Sequence, residues 1–121
     1  PNNSEATLMS CPPQHTMPAG YILKATVTFQ NTGTKDYAFD VLIAIGKGIN
    51  PQDFKPEGWN VVENVYTPSG KTNTVDVPLG PIPSDYAGTW DVEILVGDWD
   101  PTTANFTIID WLICTNALVI S

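Results

Sequence analysis

At 121 residues, with 42% apolar and 15% charged side chains, the chain has the material for one core and not for two. It holds no arginine, and five lysines against thirteen acids leave a formal charge of −8; a nucleic-acid backbone is excluded as a partner, and docking on anionic lipid is disfavoured. The longest apolar stretch, residues 108–120, is interrupted by Asp110, Thr115 and Asn116, short of the roughly eighteen residues a spanning helix needs, so no membrane insertion is expected.

Residues 1–10 are polar and read as a flexible N-terminal arm, followed by a single domain over residues 11–121. No basic start followed by an apolar run opens the chain, so a secretory signal is expected to lie outside it or to have been removed. A first short strand is expected around Cys11, with Pro12, Pro13 and Pro18 confining the segment to extended, edge-type backbone. Tyr21, Leu23, Ala25, Val27 and Phe29 then alternate with Lys24, Thr26, Thr28 and Gln30, the pattern of a strand with one face in water. Turn chemistry at Asn31-Thr32-Gly33-Thr34 leads to a second alternation through Phe39, Val41, Ile43 and Ile45, which Gly46 and Gly48 end.

Residues 49–58 read as a long connection, and Trp59 to Tyr66 as a modest strand. Val75, Val77 and Leu79 share one side of the next, with Pro78 marking a sheet edge or strand end. Trp90, Val92, Ile94 and Val96 alternate with Asp91, Glu93, Leu95 and Gly97, and Asp98-Trp99-Asp100-Pro101 forms a turn. In the last strand, from Asn105 on, the apolar phase moves from Phe106 and Ile108 to Ile109, Trp111 and Ile113, which predicts a β-bulge near Asp110.

About seven short strands with turn signals between them predict an all-β, immunoglobulin-like antiparallel β-sandwich. First and last strands can lie side by side in that topology, which would bring Cys11 and Cys114 within bridging range. The alternative is a pair of free, buried thiols. A bridge, with lysine scarce and arginine absent, favours an oxidising, extracellular location: secreted, at a cell surface or in a virion.

The string Ala25-Thr26-Val27-Thr28-Phe29-Gln30-Asn31-Thr32-Gly33, followed by Val77-Pro78-Leu79-Gly80 and by Ala87-Gly88-Thr89-Trp90-Asp91-Val92, resembles the bacterial and archaeal cell-adhesion-related domains known as CARDB-like domains. The resemblance covers about half of the chain and implies an immunoglobulin-like sandwich of a surface or secreted protein. Its elements, a strand ending in an Asn-x-Gly turn and an Ala-Gly-Thr-aromatic strand entry, specify turns and strands and imply no catalysis. The chain departs from the pattern at residues 111–120, which are more apolar than the acidic, Asn-rich ending of the family, so no ligand or partner is carried over.

No catalytic constellation is expected, because the single histidine, His15, stands in a proline-rich segment without a nucleophile-type turn nearby in sequence. The pairs Asp91/Glu93 and Asp98/Asp100 read as acids on a solvated face and turn. Asp98 and Asp100, with Asp85, are candidate calcium ligands, although a D-x-D lacks the remaining oxygens of a complete site. Trp90, in phase with Val92 and Ile94, is expected to be the central core tryptophan. Trp59 and Trp99, at loop margins, are candidate sugar contacts, and Asn2 and Asn105 stand in glycosylation-type triplets. Trp111, Ile113, Leu118, Val119 and Ile120 offer more apolar surface than one edge strand can hide, which predicts an assembly surface. The first reading is a self-assembling subunit or repeat of a cell-surface layer, filament or virion that binds its own kind or a neighbouring surface protein, and the second is a carbohydrate-binding module.

Overall fold

The structure is a computed structural model that describes residues 5–8 and 11–121. Among the described residues it is all-β, with strands β1 (Ala6–Leu8), β2 (His15–Met17), β3 (Leu23–Asn31), β4 (Tyr37–Lys47), β5 (Lys55–Thr67), β6 (Thr72–Leu79), β7 (Gly88–Asp100) and β8 (Asn105–Ile120), and a 3₁₀ turn at Ser84–Tyr86. The strands form a three-stranded sheet, β1-β3-β6, and a five-stranded sheet, β2-β8-β7-β4-β5; the latter curls into a half-barrel. Every pairing is antiparallel except that of β2 with β8. No helix among the described residues is long and apolar enough to cross a membrane.

The alternations in the sequence map onto one core shared by the two sheets. Leu23, Val27, Phe29 and Val77 face Phe39, Val41, Ile43, Ile45, Ile94 and Val96 across it. Phe29 and Phe39, both 0% exposed, meet edge to face at 5.4 Å between ring centroids, a geometry that adds to their area burial. Trp90 is on the expected face but is only half-buried at the rim. Its indole N–H donates to the Tyr86 carbonyl at 2.8 Å, and Lys47 lies over its ring at 5.4 Å. The centre of the core thus belongs to the two phenylalanines, because the indole carries a donor that must reach a partner outside it.

The expected N-terminal arm is partly ordered: Ala6–Leu8 forms β1 against β3, since Ala6 alternates inward and is buried. Residues 1–4, 9 and 10 of that segment lie outside the described residues. The strand expected around Cys11 falls instead on either side of it, one piece in each sheet. Pro12 and Pro13, which lack N–H donors, lie in extended chain just before the second ladder begins at His15. Cys11 and Cys114 are disulfide-bonded across this crossing, with Cα atoms 5.7 Å apart, which points to an oxidising, non-cytoplasmic compartment.

Buried polar side chains pin the irregular places. Asn31, 0% exposed, donates from its amide to the carbonyls of Lys35 and Thr67 and accepts the Gly33 N–H, which fixes the Asn-x-Gly turn. The bulge expected near Asp110 is present: Val96 pairs with Asp110 and Gly97 with Ile108, leaving Ile109 as the extra residue. Here Gly97 passes so close to β8 that a Cβ would collide with the Thr107 carbonyl. The segment 49–58 is shorter as a connection than its sequence suggests. Asn50 accepts the backbone N–H groups of Asp53 and Phe54 in a tight turn, and β5 starts at Lys55.

Candidate functional site

Directly opposed residues in a ladder share a face, so the registers fix what stands on the outer surface of the five-stranded sheet. One row runs Trp59, Ala44, Glu93, Ile113 from β5 to β8, and the next runs Val61, Leu42, Leu95, Trp111. Leu42, Ala44, Phe54 and Leu95 are buried there as a second apolar cluster, flanked by Val61, Phe106 and Ile113. Trp59 is 48% exposed and Trp111 43% exposed. Trp99, half-buried, meets Trp59 with ring centroids 5.3 Å apart and planes tilted by 56°. The two tryptophans singled out in the sequence as sugar contacts, forty residues apart in the chain, are therefore neighbours.

Glu93 stands within this surface. It is 6% exposed, and burial pushes its carboxyl up to about 7, with no hydrogen bond or neighbouring positive charge drawing it back. Asp91, two residues away on the same face and 9% exposed, is held differently. It accepts the Gly48 N–H at 3.3 Å and the Asn116 N–H at 2.8 Å. Asn116 has φ 52°, and the carboxylate holds the chain where β8 departs from regular pairing with β7. Asp40 acts in the same way, accepting the N–H groups of Asn64 and Trp99 at 3.0 and 2.7 Å. Asp91 and Glu93 were expected on a solvated face; the turn carrying Phe54 and the apolar side chains of β4 and β8 cover that face instead.

The candidate calcium ligands do not converge. Asp85 lies in the 3₁₀ turn before β7, whereas Asp98 and Asp100 lie at the far end of that 13-residue strand, roughly 40 Å away at about 3.3 Å per residue. Asp98 faces inward and accepts a hydrogen bond from the Tyr37 hydroxyl, whose pKa is raised by burial first and by Asp98 second. Its other carboxylate oxygen, Oδ2, is buried without a partner among the described residues. Asp100 accepts the Thr102 N–H at 2.9 Å, as an acid in a turn does. No group of three His, Cys, Asp or Glu side chains among the described residues is placed to hold a metal ion. His15 is exposed on β2, opposite Leu118.

No family model matches the chain, and no curated protein matches it in sequence. Among solved structures, the β-glucosidase of Listeria innocua in complex with glucose is similar in fold, with a TM-score of 0.52 at 14% identity. That similarity covers 96% of this chain and 16% of the glucosidase. The likeness concerns the course of the backbone alone.

The expected assembly surface divides into two groups. Leu118 and Ile120, 1% and 2% exposed, belong to the domain's own core, and Ile113 packs on the outer cluster. Residues 118 and 120 alternate inward beyond the second irregularity of β8, a shift the sequence does not announce. Val119 is half-buried, which leaves Trp111 as the exposed member, with Ile108 at 39% beside it. β2 pairs only with residues 118–120, so among the described residues 105–113 of β8 have a ladder with β7 on one side and none on the other, although the N-terminal segment reaches this edge, where the Leu8 N–H donates to Asp110 Oδ2 at 2.8 Å. Asn105 is exposed at the start of β8, and Asn2 lies outside the described residues. Sequence reasoning put Glu93 on a wet outer face and missed that this face is covered and that Phe106 packs against it. The signal that could have shown this was that Leu42, Ala44 and Leu95, all on supposedly wet faces, are apolar.

Proposed function

We propose that this chain is a non-catalytic extracellular module, an immunoglobulin-like β-sandwich akin to CARDB-like surface domains, that associates with copies of itself or with a neighbouring subunit of a surface layer, filament or virion. The observation that carries this reading is the open edge of β8. Residues 105–113 carry a single charge, Asp110, and no proline or lysine. The opposite edge of the same sheet, β5, carries Lys55, Pro56, Glu57 and Glu63 and a positive-φ residue at Asn64, the usual protections against edge-to-edge pairing. An edge without a ladder partner, met at Asp110 by the Leu8 N–H and lying beside exposed Trp111 and Ile108, suits strand addition. The crossing of the N-terminal segment from one sheet to the other, beside the final strand, supports the immunoglobulin-like reading.

Light scattering over a concentration series tests it. The parent chain is expected to form oligomers or filaments that Ile108→Glu with Trp111→Lys abolishes while circular dichroism stays unchanged; a parent that is strictly monomeric at high concentration would sink the proposal. The Trp59–Trp99 contact favours carbohydrate binding as a second reading, though the tilt of the rings suits a flat sugar face poorly. Binding to a glycan array by the monomeric double variant separates the two.

A further inference from the structure

A cavity of about 230 Å³ lies between the two sheets, beside the segment that crosses from β1 to β2. Leu23, Val92, Ile94 and Leu118 wall it, with Pro12 and Pro13 of the crossing segment against it and Cys114 beside them. The residues explain why this space is open. Ala25 of β3 and Ala117 of β8 line it, where the buried residues next to them in their strands are Leu23, Val27 and Leu118; a methyl group at each leaves room that a larger side chain would fill. The crossing segment is pinned to β8, because Cys11 is bonded to Cys114 and the Gln14 amide donates to the Asn116 carbonyl at 2.8 Å. Two consecutive prolines offer β3 no N–H, and the ladder on this edge of β3 stops at Leu8. A second recess, lined by Leu8, Val27, Ile94 and Leu112, continues the first past Pro12 and Thr26.

Charge is distributed unevenly around this space. Lys24 and His15, both exposed, stand at its mouth, whereas among the described residues no acid lines either recess. Lys24 alternates toward the solvent face of β3, but this edge of the strand has no ladder partner at residues 23–28, and a four-carbon stem reaches over it. The formal charge of −8 repels anions from most of the surface, and the two bases relieve that repulsion here. A sugar would strand its hydroxyls against leucine, valine and isoleucine side chains. An aliphatic tail loses nothing there. We propose that this cavity binds a free medium-chain aliphatic carboxylate, with its tail between Ala25 and Ala117 and its carboxylate at Lys24 and His15.

Size sets the length of the tail. An aliphatic cavity of about 150 Å³ takes a six-carbon ring, so a cavity of about 230 Å³ takes a tail of about nine carbons in the same proportion, which is that of decanoate. Burial of the tail supplies most of the affinity, about fourfold for each methylene. An ion pair at an exposed mouth adds only about two- to fivefold, so Lys24 and His15 orient the ligand more than they hold it.

The test is a calorimetric titration of the oxidised protein with sodium decanoate, octanoate and hexanoate, each below its micelle concentration. Saturable binding of decanoate is expected, with octanoate about tenfold or more weaker and hexanoate weaker again. Ala25→Leu fills the cavity and is expected to weaken decanoate by at least about tenfold with circular dichroism unchanged; Ala117→Leu serves the same end should the first variant fold poorly, and the chain-length series needs no variant. Lys24→Ala with His15→Ala is expected to weaken decanoate about two- to fivefold. The proposal is overturned by the absence of a saturable signal, by equal affinity for the three lengths, by undiminished binding in a folded leucine variant, or by binding indifferent to the loss of both bases. Binding to phosphatidylcholine vesicles without binding of free decanoate would also overturn it, in favour of a bilayer. Loss of self-association in Ala25→Leu, with no decanoate bound by the parent, would give the cavity to a second copy of the chain.

Discussion

A carboxyl whose burial raises its pKa is a group that the folded state prefers protonated, and Glu93 is such a group. Its ordinary value of 4.5 rises to about 7 on folding, so between those values the native chain holds more proton than the unfolded chain and stability falls as pH rises. The full stabilisation is present below about pH 4.5 and is lost through pH 7. The shift corresponds to about 3 kcal/mol. Asp36 works in the opposite sense in a lower window: the Ser69 N–H and the Tyr66 hydroxyl lower its pKa below 3.8, so its contribution is lost only on stronger acidification. Chemical denaturation at pH 5 and pH 8 is expected to show the parent less stable at pH 8, and Glu93→Gln to remove most of that difference. A Glu93→Gln variant with the parent's pH dependence would show that the carboxyl is better solvated than its 6% exposure implies.

At the scale of elements, β8 carries two kinds of apolar residue that look alike in sequence. Leu118 is 1% exposed and Trp111 43% exposed, although both sit in one apolar run. Leu118→Ala is expected to cost about 2–5 kcal/mol, as for a large-to-small change in a core, while Trp111→Ala should stay within about 1 kcal/mol. Denaturant midpoints of the two variants check the order. The strands themselves were legible because period-two alternation in β3, β4 and β7 reports a face that must leave water. The bulge at Ile109 was legible because it reverses that alternation. What alternation cannot report is a strand covered on both sides. Residues 41–45 of β4, Val-Leu-Ile-Ala-Ile, are apolar at every position, and reading only the odd ones hid the second cluster and the burial of Glu93. Nor does a one-dimensional pattern show that Trp59 and Trp99 meet, since their contact depends on the order β5-β4-β7. The pairing of the two cysteines was readable only through topology, as a consequence of first and last strands lying together.

For the whole molecule, the disulfide and the crossing of the N-terminal segment act together. Cys11 and Cys114 are 103 residues apart, so the bridge encloses β2 to β7 and most of β8, and in the chain-entropy model a loop of about 100 residues is worth roughly 4.7 kcal/mol. The same closure has a mechanical meaning. A tension applied from outside the bridge, through the chain before Cys11 and after Cys114, passes through the sulfur–sulfur bond and bypasses the enclosed strands. Under oxidising conditions the load draws on β1 and on residues 115–120, which lie outside the bridge and pack into the core through Ala6, Leu118 and Ile120, while the strands that the bridge encloses are shielded from extension. Single-molecule stretching is expected to show no unfolding step for the enclosed loop until a reductant is added. It should then release about 350 Å of chain, at about 3.4 Å for each of the 103 residues. An unfolding step of that length in the oxidised protein would mean that the load does not run through the bridge. A module built this way transmits force through its disulfide while the enclosed chain is not drawn out.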